Sequence, residues 1–193
     1  MTRFSLSAVG ADRPGIVAAV SGALEDAGCN LEDSTMAILR GQFAMVLVVS
    51  APPGTSAEDL ERRLDDVAQR LGLVVVVRPL HEAEGGGAGA QEGGPAAGGA
   101  VEPGPVSAWT IAVHGADHPG IVHAVTEALA AGGGNVVDLV THLVGEPDAP
   151  VYVLTIRATL PAERAEEVAD AVRRAATAVG VHCTLRPDES DLL

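Results

Sequence analysis

Positive charge is scarce in this chain of 193 residues: 12 Lys and Arg stand against 26 Asp and Glu, a formal net charge of −14 with histidine neutral. A surface so acidic repels phosphate and loses the counterion release that drives nucleic-acid affinity. Aromatics are scarcer still, with only Phe4, Phe43, Trp109 and Tyr152 available for base stacking. Direct binding of nucleic acid is therefore not expected. Cysteine is limited to Cys29 and Cys183, too few for a disulfide framework and in no CxxC pair, as suits a reducing cytoplasm. No apolar run approaches 18 residues, so neither a membrane span nor a membrane partner is expected. The first residues, Met1 to Ala11, bear a faint likeness to a secretory signal, but the repeat described next assigns them to a folded unit. Apolar residues are plentiful at 47% and charged ones make up only 20%, a composition that folds.

The chain repeats itself. Laying residue i on residue i+105 sets Phe4–Val17 on Trp109–Val122, and the string GADxPGIV occurs in both. The match continues through Leu24 and Leu129, Gly28 and Gly133, Asn30 and Asn135, and Asp33 and Asp138. Beyond Arg40 the offset becomes 109, placing Phe43 on Tyr152, and it ends at 108, with Gly72 on Gly180. The change in offset predicts a longer turn around Gly145–Pro150 in the second copy. Two modules, 1–80 and 107–188, account for most of the chain. Residues 81–106, Gly-rich and without periodicity, read as a flexible linker, and 189–193 as a tail.

Within a module the signals run strand, helix, strand, strand, helix, strand. Phe4, Leu6 and Ala8 alternate at strand period. Asp12 stands where an N-cap would, Pro14 falls in the first turn, and Ile16, Val17, Val20 and Leu24 recur at helical spacing as far as Gly28. Extended runs at 31–39 and 43–50 flank the compact turn around Arg40-Gly41-Gln42. Thr55-Ser-Ala-Glu58 reads as a capping box for a second helix over Leu60, Leu64, Val67 and Leu71, and Leu73–Val77 closes the unit. This order predicts an α+β fold of two ferredoxin-like βαββαβ modules, each a four-stranded antiparallel sheet with two helices on one face. Modules this small leave sheet edges open, so the two are expected to dock on each other.

The order of elements, the repeated GADxPGIV loop and the pairs Gly28-x-Asn30 and Gly133-x-Asn135 resemble the ACT domains, small amino-acid-sensing modules. In the first copy, Asn30-Leu-Glu-Asp-Ser-Thr-Met36 followed by Gly41-Gln-Phe-Ala-Met45 is similar to the tandem-ACT glycine cleavage system transcriptional repressor family. The second copy departs from it at Val137–His142, and Pro147 and Pro150 are expected to interrupt its hairpin. The resemblance implies an amino-acid-sensing regulatory protein, cytoplasmic and not an enzyme, that acts on a protein partner such as a transcription factor. The alternative it implies is a stand-alone regulatory subunit of an amino-acid or one-carbon metabolic enzyme, as in the regulatory parts of formyltetrahydrofolate deformylase and phosphoserine phosphatase. Glycine or serine is the ligand it favours, and self-association into a homodimer is open to it.

The loop also has chemistry of its own. Gly10 frees a turn, Asp12 presents a carboxylate, and Gly15 and Ile16 open a helix N-terminus whose amides suit an anion. A small zwitterion fits such a corner: the amides take its carboxylate, and Asp12 or Asn30 its ammonium. Asp12, Gly15, Ile16 and Asn30 are therefore one candidate set where the modules meet, and Asp117, Gly120, Ile121 and Asn135 its weaker echo. Each also has a structural role open to it: Asp12 as a helix cap, Gly15 in tight packing, Asn30 in a left-handed turn. His114, His118 and His123 lie near one another, but their spacing across strand, loop and helix does not aim three imidazoles at one metal. No GxSxG elbow, P-loop or dinucleotide fingerprint appears, and both cysteines read as structural, so no catalytic residue and no cofactor is expected.

Overall fold

A computed structural model of the chain describes residues 1–80, 105–146 and 149–188. The expected tail and the linker up to residue 104 lie outside the described residues; Val106, at the linker's expected end, opens a strand. The first module runs β1 (Thr2–Ala11), α1 (Ile16–Asp26), β2 (Asn30–Leu39), β3 (Gln42–Ala51), α2 (Ala57–Leu71) and β4 (Leu73–Pro79). The second repeats it as β5 (Val106–Ala116), α3 (Ile121–Ala131), β6 (Asn135–Glu146), β7 (Ala149–Pro161), α4 (Ala165–Ala178) and β8 (His182–Pro187), with a 3₁₀ turn at Ala162–Arg164.

All strand pairs are antiparallel, and β1 and β5 each sit between two neighbours of their own module. Phe4, Leu6 and Ala8 of β1 alternate into the core with Phe43, Met45, Leu47 and Val49 of β3, as strand period requires. Against them lie Leu60, Leu64 and Val67, the apolar stripe of α2. The opposite face of the sheet carries no helix and exposes Val9, Val46, Val74 and Val76.

The modules join edge to edge. Ser34 and Thr35 of β2 pair with Thr141 and Val140 of β6, which yields one eight-stranded sheet in the order β4-β1-β3-β2-β6-β7-β5-β8. The Ser34 and Thr141 hydroxyls share a buried hydrogen bond of 2.8 Å at this seam. Above it α1 packs on α3, giving the helix row α2-α1-α3-α4. The His123 ring lies across α1 in the space beside Gly22, where a built Cβ would come within 2.8 Å of the ring, and its Nδ1 is 3.0 Å from the Ala18 carbonyl. Pairing removes the two open edges that the isolated modules would present.

Three local expectations are corrected. Asp12 does not cap α1. The helix starts at Ile16 with Gly15 as its N-cap at φ +86°, so Pro14 precedes the helix and Asp12 lies too far upstream. The capping box is shifted by one residue: Ser56 accepts from the Asp59 N–H at 3.1 Å and the Asp59 carboxylate accepts from the Ser56 N–H at 3.0 Å. Thr55 is taken up instead by the preceding turn, its N–H donating to Pro52. In the second module the expected interruption at Pro150 does not occur, because the β6–β7 ladder continues to Gly145 against Pro150 and Glu146 against Ala149; Pro147 lies outside the described residues. Pro150 is tolerated because the β5 ladder ends at Val151, leaving β7 a neighbour on one side only.

Candidate functional site

The repeated loops bring each helix start to the seam between modules. Gly15 and Gly120 both adopt left-handed backbone, at φ +86° and +93°, a region that costs an L side chain about 1–2 kcal/mol. Neither α1 nor α3 has a side-chain cap or an acidic residue in its first turn. Each therefore points amide dipoles into the seam with no cap or acidic residue of its own first turn to neutralise them, and such a position stabilises an anion.

The candidate residues assemble differently from the grouping the sequence suggested. Asn30 does not join Asp12; its Nδ2 donates to Asp117 Oδ2 of the other module at 2.8 Å. Reciprocally, Asn135 donates to Asp12 Oδ2, more loosely at 3.4 Å. The sets are thus Asp12, Gly15 and Ile16 with Asn135, and Asp117, Gly120 and Ile121 with Asn30. The physical reason is the edge pairing of β2 with β6, which sets each strand start against the partner module's loop.

The first set lines one small pocket, of about 270 Å³ with its mouth; Gly120, Ile121 and Asn30 of the second line another, of about 300 Å³, while Asp117 is held by Asn30 and is not itself part of that pocket's wall. The two are related by the internal repeat, but their walls differ. Phe43 in the first is replaced by Tyr152 in the second, Ala18 by His123, Gly134 by Cys29, and Ala130 by Glu25. A Cβ built on Gly15 would meet only the Ala130 methyl, at 3.9 Å, whereas one on Gly120 would lie 2.5 Å from Glu25 Oε1. The Glu25 carboxylate therefore stands at the start of α3, and the start of α1 has no such occupant. The loops were legible in the sequence, but Glu25 was not picked out, and Tyr152 and His123 were noted only as the counterpart of Phe43 and as one of three histidines unsuited to a metal. The signal was present in the offset of 105, which sets Glu25 on Ala130.

Burial holds the Asp12 carboxyl above its ordinary value, against the lowering effect of hydrogen bonds from Asn135 and the Arg13 backbone. Burial also pushes the Tyr152 phenol well up, against the lowering effect of the nearby Thr141 hydroxyl and reinforced by the negative charges of Asp117 and Asp33. The Tyr152 hydroxyl and Asp117 Oδ1 are both buried without a hydrogen-bond partner among the described residues.

The remaining candidates separate. His114 stacks on His182 with ring centroids 5.3 Å apart, while His118 Nε2 lies 2.7 Å from the Val179 carbonyl and His123 reaches Ala18. Among the described residues no three His, Cys, Asp or Glu side chains are placed to hold a metal. Cys29 is buried and Cys183 half-buried; burial raises both thiols, that of Cys183 to about 11, so neither is activated as a nucleophile. Among the described residues no helix is long and apolar enough to cross a membrane.

A family model described as ACT domain matches residues 2–78. A UPF0237 protein of Methanopyrus kandleri is 39% identical over 79 residues, covering 40% of this chain and 88% of the relative. The glycine cleavage system transcriptional repressor of Escherichia coli is 42% identical over 45 residues, 23% of this chain and 24% of that protein. Among solved structures, an aspartate kinase from Synechocystis matches 94% of this chain with 29% of its own, at a TM-score of 0.53 and 16% identity, a likeness of fold alone.

Proposed function

The chain belongs to the ACT-domain family, and from that premise we propose that it senses a small free amino acid at the seam between its modules and reports the bound state to a protein partner. One observation carries the reading. At the first pocket the uncapped start of α1 stands beside the Asp12–Asn135 pair, and the space over Gly15 faces only the Ala130 methyl. The amides after Gly15 take an α-carboxylate, and Asp12, with the Asn135 carboxamide beside it, takes the α-ammonium. The pocket that Ile16, Ala130 and Phe43 line is too small for a large side chain, so glycine and serine are the first candidates. Because both modules furnish the pocket, ligand binding stabilises their docked arrangement, and a partner touching both modules detects it.

Partner contact through protein rather than DNA accords with the net charge of −14, and similarity to the Escherichia coli repressor makes a transcription factor the first class to seek. Thermal melts in each of the twenty amino acids test the sensing step. A ligand at a hundredfold excess over its Kd stabilises by about 2.7 kcal/mol, a shift of about 5 to 10 °C for a protein of this size. A flat response to all twenty would sink it. Affinity capture with and without the responding amino acid tests the second step: a transcription factor supports the reading, and a metabolic enzyme would make the chain that enzyme's regulatory subunit.

A further inference from the structure

The pocket at the second loop is built for a different ligand. We propose that it takes a small primary amine lacking a carboxylate, with Glu25 supplying from within the chain the carboxylate that a zwitterion would bring. The proposal rests on the reading of the seam as a place where ligands bind.

Three observations converge. The Glu25 side chain reaches from α1 to the start of α3, so close to Gly120 that a Cβ there would sit 2.5 Å from Oε1. That position, over an uncapped helix N-terminus, is the one a ligand carboxylate takes in the first pocket; here it is filled, and an incoming carboxylate would meet like charge from both Glu25 and Asp117. Secondly, Tyr152, a wall residue of the pocket, is 1% exposed, and its hydroxyl has no hydrogen bond of normal length among the described residues, the Thr141 hydroxyl beside it being taken up by Ser34 at 2.8 Å. The equivalent residue in the first pocket is Phe43, which asks for no partner. Thirdly, Asp117 Oδ2 is held by Asn30 at 2.8 Å, while Oδ1 is buried and unpaired among the described residues. Burying polar atoms without partners is costly, so groups of this kind point to a missing donor. A primary ammonium has three N–H donors and no acceptor; the wall offers it the Glu25 carboxylate and the Tyr152 hydroxyl oxygen, and the Asp117 carboxylate stands beyond them, held by Asn30 of the wall. Of the neighbouring imidazoles, both nitrogens of His118 are engaged, by the Pro119 and Val179 carbonyls, while His123 is engaged through Nδ1 by the Ala18 carbonyl.

Ethanolamine and serine share a skeleton and differ by the carboxylate, which makes them the probes for isothermal titration of the full chain. Ethanolamine is expected to bind wild type at one per chain, undisplaced by saturating serine. Glu25→Gln should weaken it at least tenfold, and Tyr152→Phe severalfold. The reciprocal change, Ala130→Glu, places the second pocket's carboxylate in the first and should raise ethanolamine stoichiometry to two per chain while abolishing serine binding. That gain keeps the test decisive if the Glu25 variants fold poorly. Absence of ethanolamine binding, displacement by serine, or indifference to Glu25→Gln would overturn the proposal. Ethanolamine binding with no response to any amino acid would defeat the zwitterion reading of the first pocket and support this one; an amino-acid response without ethanolamine binding would do the reverse.

Discussion

Asp12 and Asn135 show how a residue's role depends on a contact that no local spacing encodes. Burial raises the Asp12 carboxyl above its ordinary value of 3.8, so the folded chain holds that proton more tightly than the unfolded one. The stability this contributes is fully present below pH 3.8 and is lost as pH rises through the folded value. At neutral pH the carboxylate is therefore retained at a cost, as befits a group kept for a ligand. Asp12→Asn should leave the unliganded melting temperature at pH 7 unchanged or higher, flatten its dependence on pH above 3.8, and remove the amino-acid response. Melts across pH, with and without ligand, check all three. The sequence marked Asp12, Gly15 and Asn30 as candidates from residue chemistry alone. It could not show that Asn30 serves the other module's loop, because that depends on which strand edges meet, and β2 and β6 carry no mark of their pairing.

At the scale of elements the sequence was most informative where a pattern repeats within one segment. The alternation of Phe4, Leu6 and Ala8 and the stripe Leu60, Leu64, Val67 reappear as the inward faces of β1 and α2. Element ends were harder to read, because neighbouring residues compete for the same amide. Thr55 and Ser56 can both cap α2, and the turn closed by the Thr55 N–H leaves Ser56 to do so. The hydrogen bonds from Ser56 hold the exposed Asp59 carboxyl below the usual range. Ser56→Ala should destabilise the fold by about 1 kcal/mol in urea titration, while the ligand-induced increment in melting temperature stays intact. Loss of that increment would tie α2 to the site, which the geometry does not.

For the whole molecule the decisive feature is that the modules are one sheet with one row of helices, and the candidate pockets exist only in that arrangement. The α1–α3 contact gives a direct probe of it. Glycine to alanine in a helix interior ordinarily stabilises by about 1 kcal/mol. At Gly22 the added methyl would lie 2.8 Å from the His123 ring, so Gly22→Ala should instead destabilise, by about 1–3 kcal/mol. The pair Gly22→Ala with His123→Ala should recover most of the loss; a double-mutant cycle with no coupling would mean that the helices do not meet in solution as described.

The central claim, that a small amino acid binds between the modules using both, is tested most directly by amide NMR of the labelled full chain titrated with glycine and with serine. The account predicts that the amides of Gly15 and Ile16 in the first module and of Gly134 and Asn135 in the second move together along one saturable curve, and that Ala130→Leu, which fills the space over Gly15, abolishes the movement. Perturbations confined to one module, or none with either amino acid, would contradict it.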